Sequence, residues 1–348
     1  MPTMADVAKR AGVAVSTVSY ALSGTRPITE ETRQRIFEAM TDLGYHPNFL
    51  ARSLVTKRTR TIALFFPAIM NRALSEAQFE FVASAANVAS QRDYGLLLWT
   101  MPGEDHQLER LIQEGLIEGV ILMEIKLHDP RVEFLRATKF PFALIGHCAD
   151  NAGINFVDFD FAEGLRQSVH YLAELGHRAI AYFNFPQPLF DAGFGPAVRS
   201  VEGFNTGLAE TGLKGFLSAS SYLPQDAAGA FRTLMAEHPD ITGAIVFNET
   251  ICAGIYQAVY ELGLRIAEDL SVIAVASQYA AEKTTPPVTT TNLPAAEMGR
   301  IGAELLIDQL ESNSDRATQL LLAAELVIRQ STGPCREKKG GETATSQS

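Results

Sequence analysis

MADVAKRAGVAVSTVSYALS, residues Met4 to Ser23, reads as two short helices with a tight turn between them. Thr3 stands three residues ahead of Asp6, the capping-box spacing that satisfies the free N–H groups of a first helical turn, so a helix begins after Thr3. Ala5, Val7, Ala8 and Ala11 give it a small apolar face, and Gly12 ends it where a left-handed residue is needed. Val13 packs back, and a second helix from near Ser16 turns Val18, Ala21 and Leu22 inward at helical spacing. That leaves Val15, Ser16, Thr17, Ser19, Tyr20 and Ser23 outward. Small hydroxyls and one tyrosine on the outer face of a second helix are what a helix-turn-helix unit needs to reach base edges and phosphates. The pattern equally suits a surface face of any small helical bundle, and this stretch alone does not separate the two.

A third helix runs from a Thr29 cap through Ile36, Phe37, Met40 and Leu43 to Gly44. Three helices in so short a span hold too little core to be very stable alone, so the unit borrows order from DNA or from the rest of the chain. In YHPNFLARSLVTKRTRT, residues 45–61, Pro47 disfavours helix at His46 and Asn48 is a capping residue. Phe49 to Leu54 then make a helix too brief to stand by itself. The KRTRT run after it reads as a solvated tether.

The chain has 348 residues, which suits a small module plus a larger one, and 47% of them are hydrophobic. Its net charge of −11 argues against a nucleic-acid partner until the distribution is considered. Residues 1–60 hold nine Lys and Arg against five acids and carry +4, leaving −15 on the remainder. A basic head on an acidic body lets the head meet phosphates while the body is repelled. No apolar run approaches the ~18 residues of a membrane span. Asp6, Lys9 and Arg10 interrupt any apolar N-terminal segment, so no membrane partner is expected and the location is cytoplasmic. Cys148, Cys252 and Cys335 are scattered, without metal-ligand spacing, and read as buried reduced thiols.

DVAKRAGVAVSTVSYALSG (6–24), ITEETRQRIFEAMTDLGYHPNFLARSL (28–54) and TTTNLPAAEMGRIGAELLIDQL (289–310) resemble the lactose-repressor/galactose-repressor (LacI/GalR) family of bacterial transcription regulators. The resemblance extends to about Pro334. It implies a homodimer that binds double-stranded operator DNA under the control of a small-molecule effector. Val15, Ser16 and Tyr20 match the family's base-reading positions, and Thr17, Ser23, Arg26 and Tyr45 its phosphate contacts. Phosphate contacts set register while base-edge contacts set specificity. Leu54 matches the leucine that two paired hinge helices drive into the minor groove, Ala51 allowing close approach. Such a wedge kinks the duplex at the cost of unstacking. The alternative for Leu54 is packing against its own domain.

From Thr61 the period changes. TIALFFPAI, GLLLWTM, GVILME, FALIGH, RAIAYFNF, AIVFN and SVIAVAS are short apolar runs separated by helical stretches near 77–91, 106–114, 162–175, 200–211 and 251–262. This alternation predicts doubly wound parallel sheets. The expected fold is therefore a small all-α helix-turn-helix domain plus an α/β, two-lobed, periplasmic-binding-protein-like domain. The expected divisions are a DNA-binding domain at 1–46, a hinge and linker at 47–60, an effector-binding and dimerisation domain at 61–333 and a disordered tail at 334–348. By the resemblance, the N-lobe takes about 61–161 and 292–323, and the C-lobe about 162–291 and 324–333. Pro294 begins a helix whose Met298, Ile301, Leu305 and Leu306 pack on the N-lobe. No leucine heptads suggest a tetramerising coiled coil.

No phosphate-cradling loop appears, since GFGPAVRS (193–200) lacks the required spacing. His147, His170 and His177 stand without a triad or metal pattern; His177 reads as structural and His170 as a helix-surface residue. No catalytic residue, metal site or cofactor is expected, and the protein is not read as an enzyme. Ligands in such sheets bind at the carboxyl ends of strands, which puts the effector between the lobes.

The resemblance places Leu74, Met123, His147, Asp160, Arg199, Tyr222, Asn248 and Ser277 around that cleft. Arg199 can donate bidentate hydrogen bonds to hydroxyls or a carboxylate, or form an inter-lobe ion pair. Asp160 either meets ligand or caps the next helix. Leu74 and Met123 suit the core as well. Two departures stand out: Asn248–Glu249 replaces a common Asn-Asp, and Ala276 stands where sugar-binding relatives have an aspartate. Tyr182, Phe183, Phe185 and Phe190, in an aromatic insertion, suit either stacking on a pyranose or core packing. A sugar or glycoside leads as effector, a nucleobase, another metabolite or a phosphocarrier protein follows, and a solute-binding protein is the distant alternative.

Overall fold

The structure, a computed structural model, describes residues 2–23, 26–45, 58–65, 75–100, 106–220, 223–312 and 316–335. Leu54, Leu74, Tyr222, most of the hinge and the tail beyond Cys335 lie outside these residues, as does the side chain of Ser23.

The head contains α1 (Met4–Ala11), α2 (Val15–Ser23) and α3 (Glu30–Leu43). Thr3 and Asp6 form a reciprocal capping box, and Gly12 and Gly44 end α1 and α3 in the left-handed conformation. Val7, Ala8, Ala11, Val18, Ala21, Ile36, Ala39, Met40 and Tyr45 make one small core. Two expected core residues face out: Ala5 is exposed, and Phe37 is 45% exposed. Phe37 follows Ile36 around the helix, so when Ile36 points inward its neighbour turns toward solvent.

The N-lobe sheet uses β1 (Thr61–Phe65), β2 (Gly95–Trp99), β3 (Gly119–Leu122), β4 (Phe142–Ile145), β5 (Asn155–Phe159) and β11 (Gln319–Leu322). Their order is β11-β5-β4-β3-β1-β2, all parallel. Strand alternation sends Ile62 and Leu64 into the large core shared with α4 (Glu76–Gln91), while Ala63 and Phe65 join a separate cluster with Leu108 and Leu111 of α5 (His106–Gln113) and Val132 and Leu135 of α6 (Pro130–Thr138).

The C-lobe sheet uses β6 (Ala179–Asn184), β7 (Lys214–Ala219), β8 (Gly243–Val246), β9 (Ser271–Ala276), β10 (Thr289–Asn292) and β12 (Leu326–Val327), in the order β12-β10-β9-β8-β6-β7. Among the described strands only β12 runs antiparallel to its neighbour. Its helices are α7 (Phe161–Glu174), α8 (Gln187–Asp191), α9 (Gly195–Thr211), α10 (Pro224–Glu237), α11 (Glu249–Glu261) and α12 (Gln278–Glu282). The chain passes from one sheet to the other after β5, after β10 and between β11 and β12, and α13 (Ala295–Glu311) returns to pack on α4. The architecture is the expected one, a helical head and two parallel α/β sheets.

The elements read from the sequence omit the helices α6, α8, α10 and α12 and the strands β5, β7, β10 and β11. β7 and β11 are edge strands with mostly exposed side chains, so neither has a buried apolar run to announce it. α9 starts at Gly195 rather than near Ser200, because Pro196 sits in the first turn, where its missing N–H costs nothing. Arg58 and Arg60 are not a solvated tether. Arg58 donates to Glu118 at 2.9 Å and to the Tyr94 hydroxyl at 3.0 Å, and Arg60 pairs with Glu311 at 3.2 Å. Of the three cysteines, Cys335 is only partly buried. Among the described residues no helix is long and apolar enough to cross a membrane.

Candidate functional site

On the head, α2 presents Val15, 47% exposed, and Ser16, also exposed, with Thr17 and Tyr20 half-buried beside them. Arg26 lies beside this face with its guanidinium carbon 5.0 Å from the Tyr20 ring centroid, an arrangement that steadies both side chains. Tyr45 stands apart from the others: it is 8% exposed and belongs to the head core.

Between the lobes lies a cavity of about 360 Å³ at the carboxyl ends of the strands, within the usual range for small-ligand sites. Phe161, Phe185, Phe194 and Phe247 form one wall. Phe185 touches Phe247 at 3.8 Å between centroids and Phe194 at 5.0 Å, while Phe161 and Phe247 stack at 5.7 Å and 22°. Met123, Phe81 and Met298 extend the apolar lining, and Glu124, Asp158, Asn248, Glu249 and Gln78 are among its polar members.

Two carboxyl groups that the sequence reading passed over stand at the ends of β5 and β3, on either side of β4. Asp158, on β5, is 1% exposed; its Oδ2 pairs with Nδ1 of His147 at 2.7 Å and its Oδ1 accepts from the Phe159 amide at 2.7 Å. Glu124 follows β3, and burial pushes its carboxyl up to about 7, with Arg131 opposing the shift. The signal available for both was an acid directly after an apolar strand, in GVILME, or inside one, in FVDF.

Arg199, on the second turn of α9, does not line the cavity. Its Nη2 donates to the carbonyls of His147 at 2.9 Å and Cys148 at 3.3 Å, and its buried Nη1 lies 3.8 Å from Asp158 without a hydrogen bond. Burial lowers its pKa while Asp158 opposes that shift. His147 also stands behind the lining, its ring stacked 5.2 Å from Phe156.

Of the other expected cleft residues, Met123 and Asn248 line the cavity, Asn248 also capping α11 through Ile251 N at 2.8 Å. Asp160 caps α7 through Glu163 N at 3.0 Å and stays outside the lining. Ser277 caps α12 and donates across the lobes to Glu80 at 2.6 Å. Tyr182 and Phe183 are fully buried in the core and cannot stack on a ligand; Phe190 packs against that core, and only Phe185 of the four reaches the cavity. His177 is held between the hydroxyls of Thr242 and Ser271, while His170 meets Glu210 at the surface.

Residues 3–48 match the family described as bacterial regulatory proteins, lacI family, and residues 169–332 match a periplasmic binding protein-like domain. The HTH-type transcriptional regulator CelR of Thermobifida fusca is 29% identical over 338 residues, 95% of this chain and 98% of that protein. The ribose operon repressor of Escherichia coli K12 is 26% identical over 95% of this chain and its own full length. A solved CelR–cellobiose complex matches with a TM-score of 0.71 at 26% identity, covering 95% of this chain and 100% of that one. The Lac repressor dimer bound to operator and the anti-inducer ONPF matches with a TM-score of 0.81 at 23% identity, covering 95% and 99%, a likeness of fold. The helix-turn-helix head thus carries a lacI-family DNA-binding domain and the two-lobed body a periplasmic binding protein-like domain, and the relatives aligned along nearly their whole length are transcription regulators.

Proposed function

We propose that the protein is a cytoplasmic repressor that binds a near-palindromic operator as a homodimer and is controlled by a sugar or glycoside seated between its lobes. A two-fold dimer pairs naturally with two-fold DNA. In this reading residues 1–46 are the DNA-binding domain, 47–60 the hinge and 61–333 the effector-binding and dimerisation domain. Val15, Ser16 and Tyr20 read bases, Thr17, Ser23 and Arg26 meet phosphate, and Leu54 is the minor-groove wedge. Tyr45, packed in the head core, steadies α3 instead.

The observation that carries the effector reading is the inter-lobe cavity, lined by phenylalanine rings together with carboxyl and amide acceptors. Rings cover the apolar face of a pyranose, and acceptors take its hydroxyls. Met123 and Asn248 line this pocket, Arg199 and His147 brace its wall, and Asp160 and Ser277 serve as helix caps. A ligand touching both lobes can bias their relative position and, through the dimer, the hinge helices.

Thermal unfolding against neutral sugars and glycosides tests the reading, because a ligand at one hundred times its dissociation constant adds about 2.7 kcal/mol of stability. A sugar that raises the melting temperature and changes retention on operator DNA is expected. A panel without any such member would remove the sugar effector from the proposal.

A further inference from the structure

We propose that Glu124 recognises a hydroxyl group of a neutral saccharide, and that the acidic lining around it excludes saccharides carrying phosphate or carboxylate. This rests on the effector reading above and names its ligand class.

The placement comes from the sheet. β3, β4 and β5 are neighbours in parallel register, and their carboxyl ends present Glu124, Gly146 and Asp158 to the same cavity. The middle position has no side chain. A Cβ at Gly146 would lie 3.0 Å from the Ile125 side chain, on a backbone with φ of +116°, so the gap between the two acids is kept open.

The acids differ in their hydrogen bonds. Both oxygens of Asp158 are engaged, by His147 and by the Phe159 amide, and Glu249 accepts from the Ala77 amide at 3.4 Å. The Glu124 carboxyl has no hydrogen-bond partner among the described residues, although its carbonyl accepts from Arg131 at 3.0 Å. Glu124 is partly buried and lines the cavity, so a hydroxyl of a bound ligand can donate to its carboxyl. Burial has already raised this carboxyl to about 7.

The backbone holding it is strained and pinned. Glu124 has φ of +54°, which a side chain rarely adopts. Arg131 secures that turn by donating to the carbonyls of both Met123 and Glu124, and Asp129 grips Arg131 with two oxygens at 2.6 and 2.9 Å. The guanidinium is thus occupied on the far side of the turn. Among the described residues that line the cavity there is no Lys, Arg or His, whereas three carboxyl groups line it. Five helix starts reach it: those of α4, α7 and α11 are capped by Ser75, Asp160 and Asn248, while those of α9 and α10, without a side-chain cap, carry Pro196 and Pro224 in the first turn, where proline has no N–H to offer. An anion would meet like charge and no free cationic partner among these groups.

Calorimetric titration of the full-length protein with glucose, ribose and cellobiose, each beside glucose 6-phosphate and glucuronate, tests this. Neutral saccharide binding at least tenfold tighter than either anion is expected. In Glu124→Gln, neutral binding weakens tenfold or more and the anions gain, while ligand-free operator binding and the circular dichroism spectrum hold. Asp158→Asn, which disturbs a bonded acid, serves as comparison and narrows the anion gap without abolishing neutral binding. Anions binding as tightly as neutral sugars, or Glu124→Gln affinity within twofold of wild type, overturns the inference and leaves the sugar-effector reading standing. Operator binding without response to any saccharide overturns both.

Discussion

Nη2 of Arg199, on the C-lobe, donates to the carbonyl oxygen of His147, on the N-lobe, at 2.9 Å. The same imidazole holds Asp158 through Nδ1, so one guanidinium and one histidine tie an acid of the cavity to the opposite lobe. On the other rim Ser277 of the C-lobe donates to Glu80 of α4, and Lys283 pairs with Glu76 in the same helix. The cavity lies between two polar clasps, and a ligand that lengthens or shortens either changes the angle between the sheets.

Arg199→Ala removes two bonds to carbonyl oxygens and leaves buried Asp158 without its neighbouring positive charge. Hydrogen bonds from a charged donor contribute about 1.5–3 kcal/mol, so effector affinity should fall roughly 10- to 100-fold. Operator affinity without effector should change little. The readout is the melting-temperature shift at saturating sugar; an undiminished shift would show that this clasp plays no part in ligand binding.

Tyr20→Phe keeps the ring that packs with Arg26 and deletes the hydroxyl available to a base edge. Discrimination at one operator position should relax by about 1–3 kcal/mol, with the salt dependence of binding unchanged. Leu54→Ala, at the proposed wedge, should lower operator affinity far more than sugar affinity. Competition binding to operator variants measures the first, and paired operator and sugar titrations the second; equal losses in the pair would refute the wedge.

The Glu124 carboxyl has its pKa raised from 4.5 to about 7 by burial, with Arg131 opposing and the acids Asp158 and Glu249 lining the same cavity. Between those values the folded protein holds more protons than the unfolded chain. This residue's contribution to stability is therefore fully present below pH 4.5 and is lost as pH rises through about 7. Glu124→Gln, which cannot ionise, should melt roughly 2–5 °C above wild type at pH 8 and lose that advantage by pH 5. Parallel melting curves at the two pH values would count against the assignment.

Gly203 lies where α9 crosses the start of α7, and a Cβ there would sit 1.9 Å from the Ala162 carbonyl oxygen. The obstruction is backbone and cannot rotate away. Gly203→Ala should destabilise the C-lobe by about 1–3 kcal/mol or more, seen as an earlier transition in urea unfolding. A variant as stable as wild type would mean that the two helices separate without penalty.

Much of this protein was legible in its residues. The Thr3–Asp6 pair, Gly12, Gly44 and the spacing of Val7, Val18 and Ile36 specify the head, because caps and helical periodicity are local. Alternating apolar runs specify parallel sheets, because strands covered on both faces must be apolar throughout. The edge strands β7 and β11 escaped that logic, having little buried surface to record. Tertiary structure decided which side chains share the cavity. Asp160 and Asp158 are two residues apart, yet one caps α7 while the other meets the ligand space, and only the strand's end and the neighbouring sheet determine which. Likewise Tyr182, Phe183 and Phe185 are equivalent aromatics in sequence. Burial places the first two in the core and turns the third toward Phe247, and Glu124 gains its significance only from the cavity it lines, where its carboxyl has no partner among the described residues.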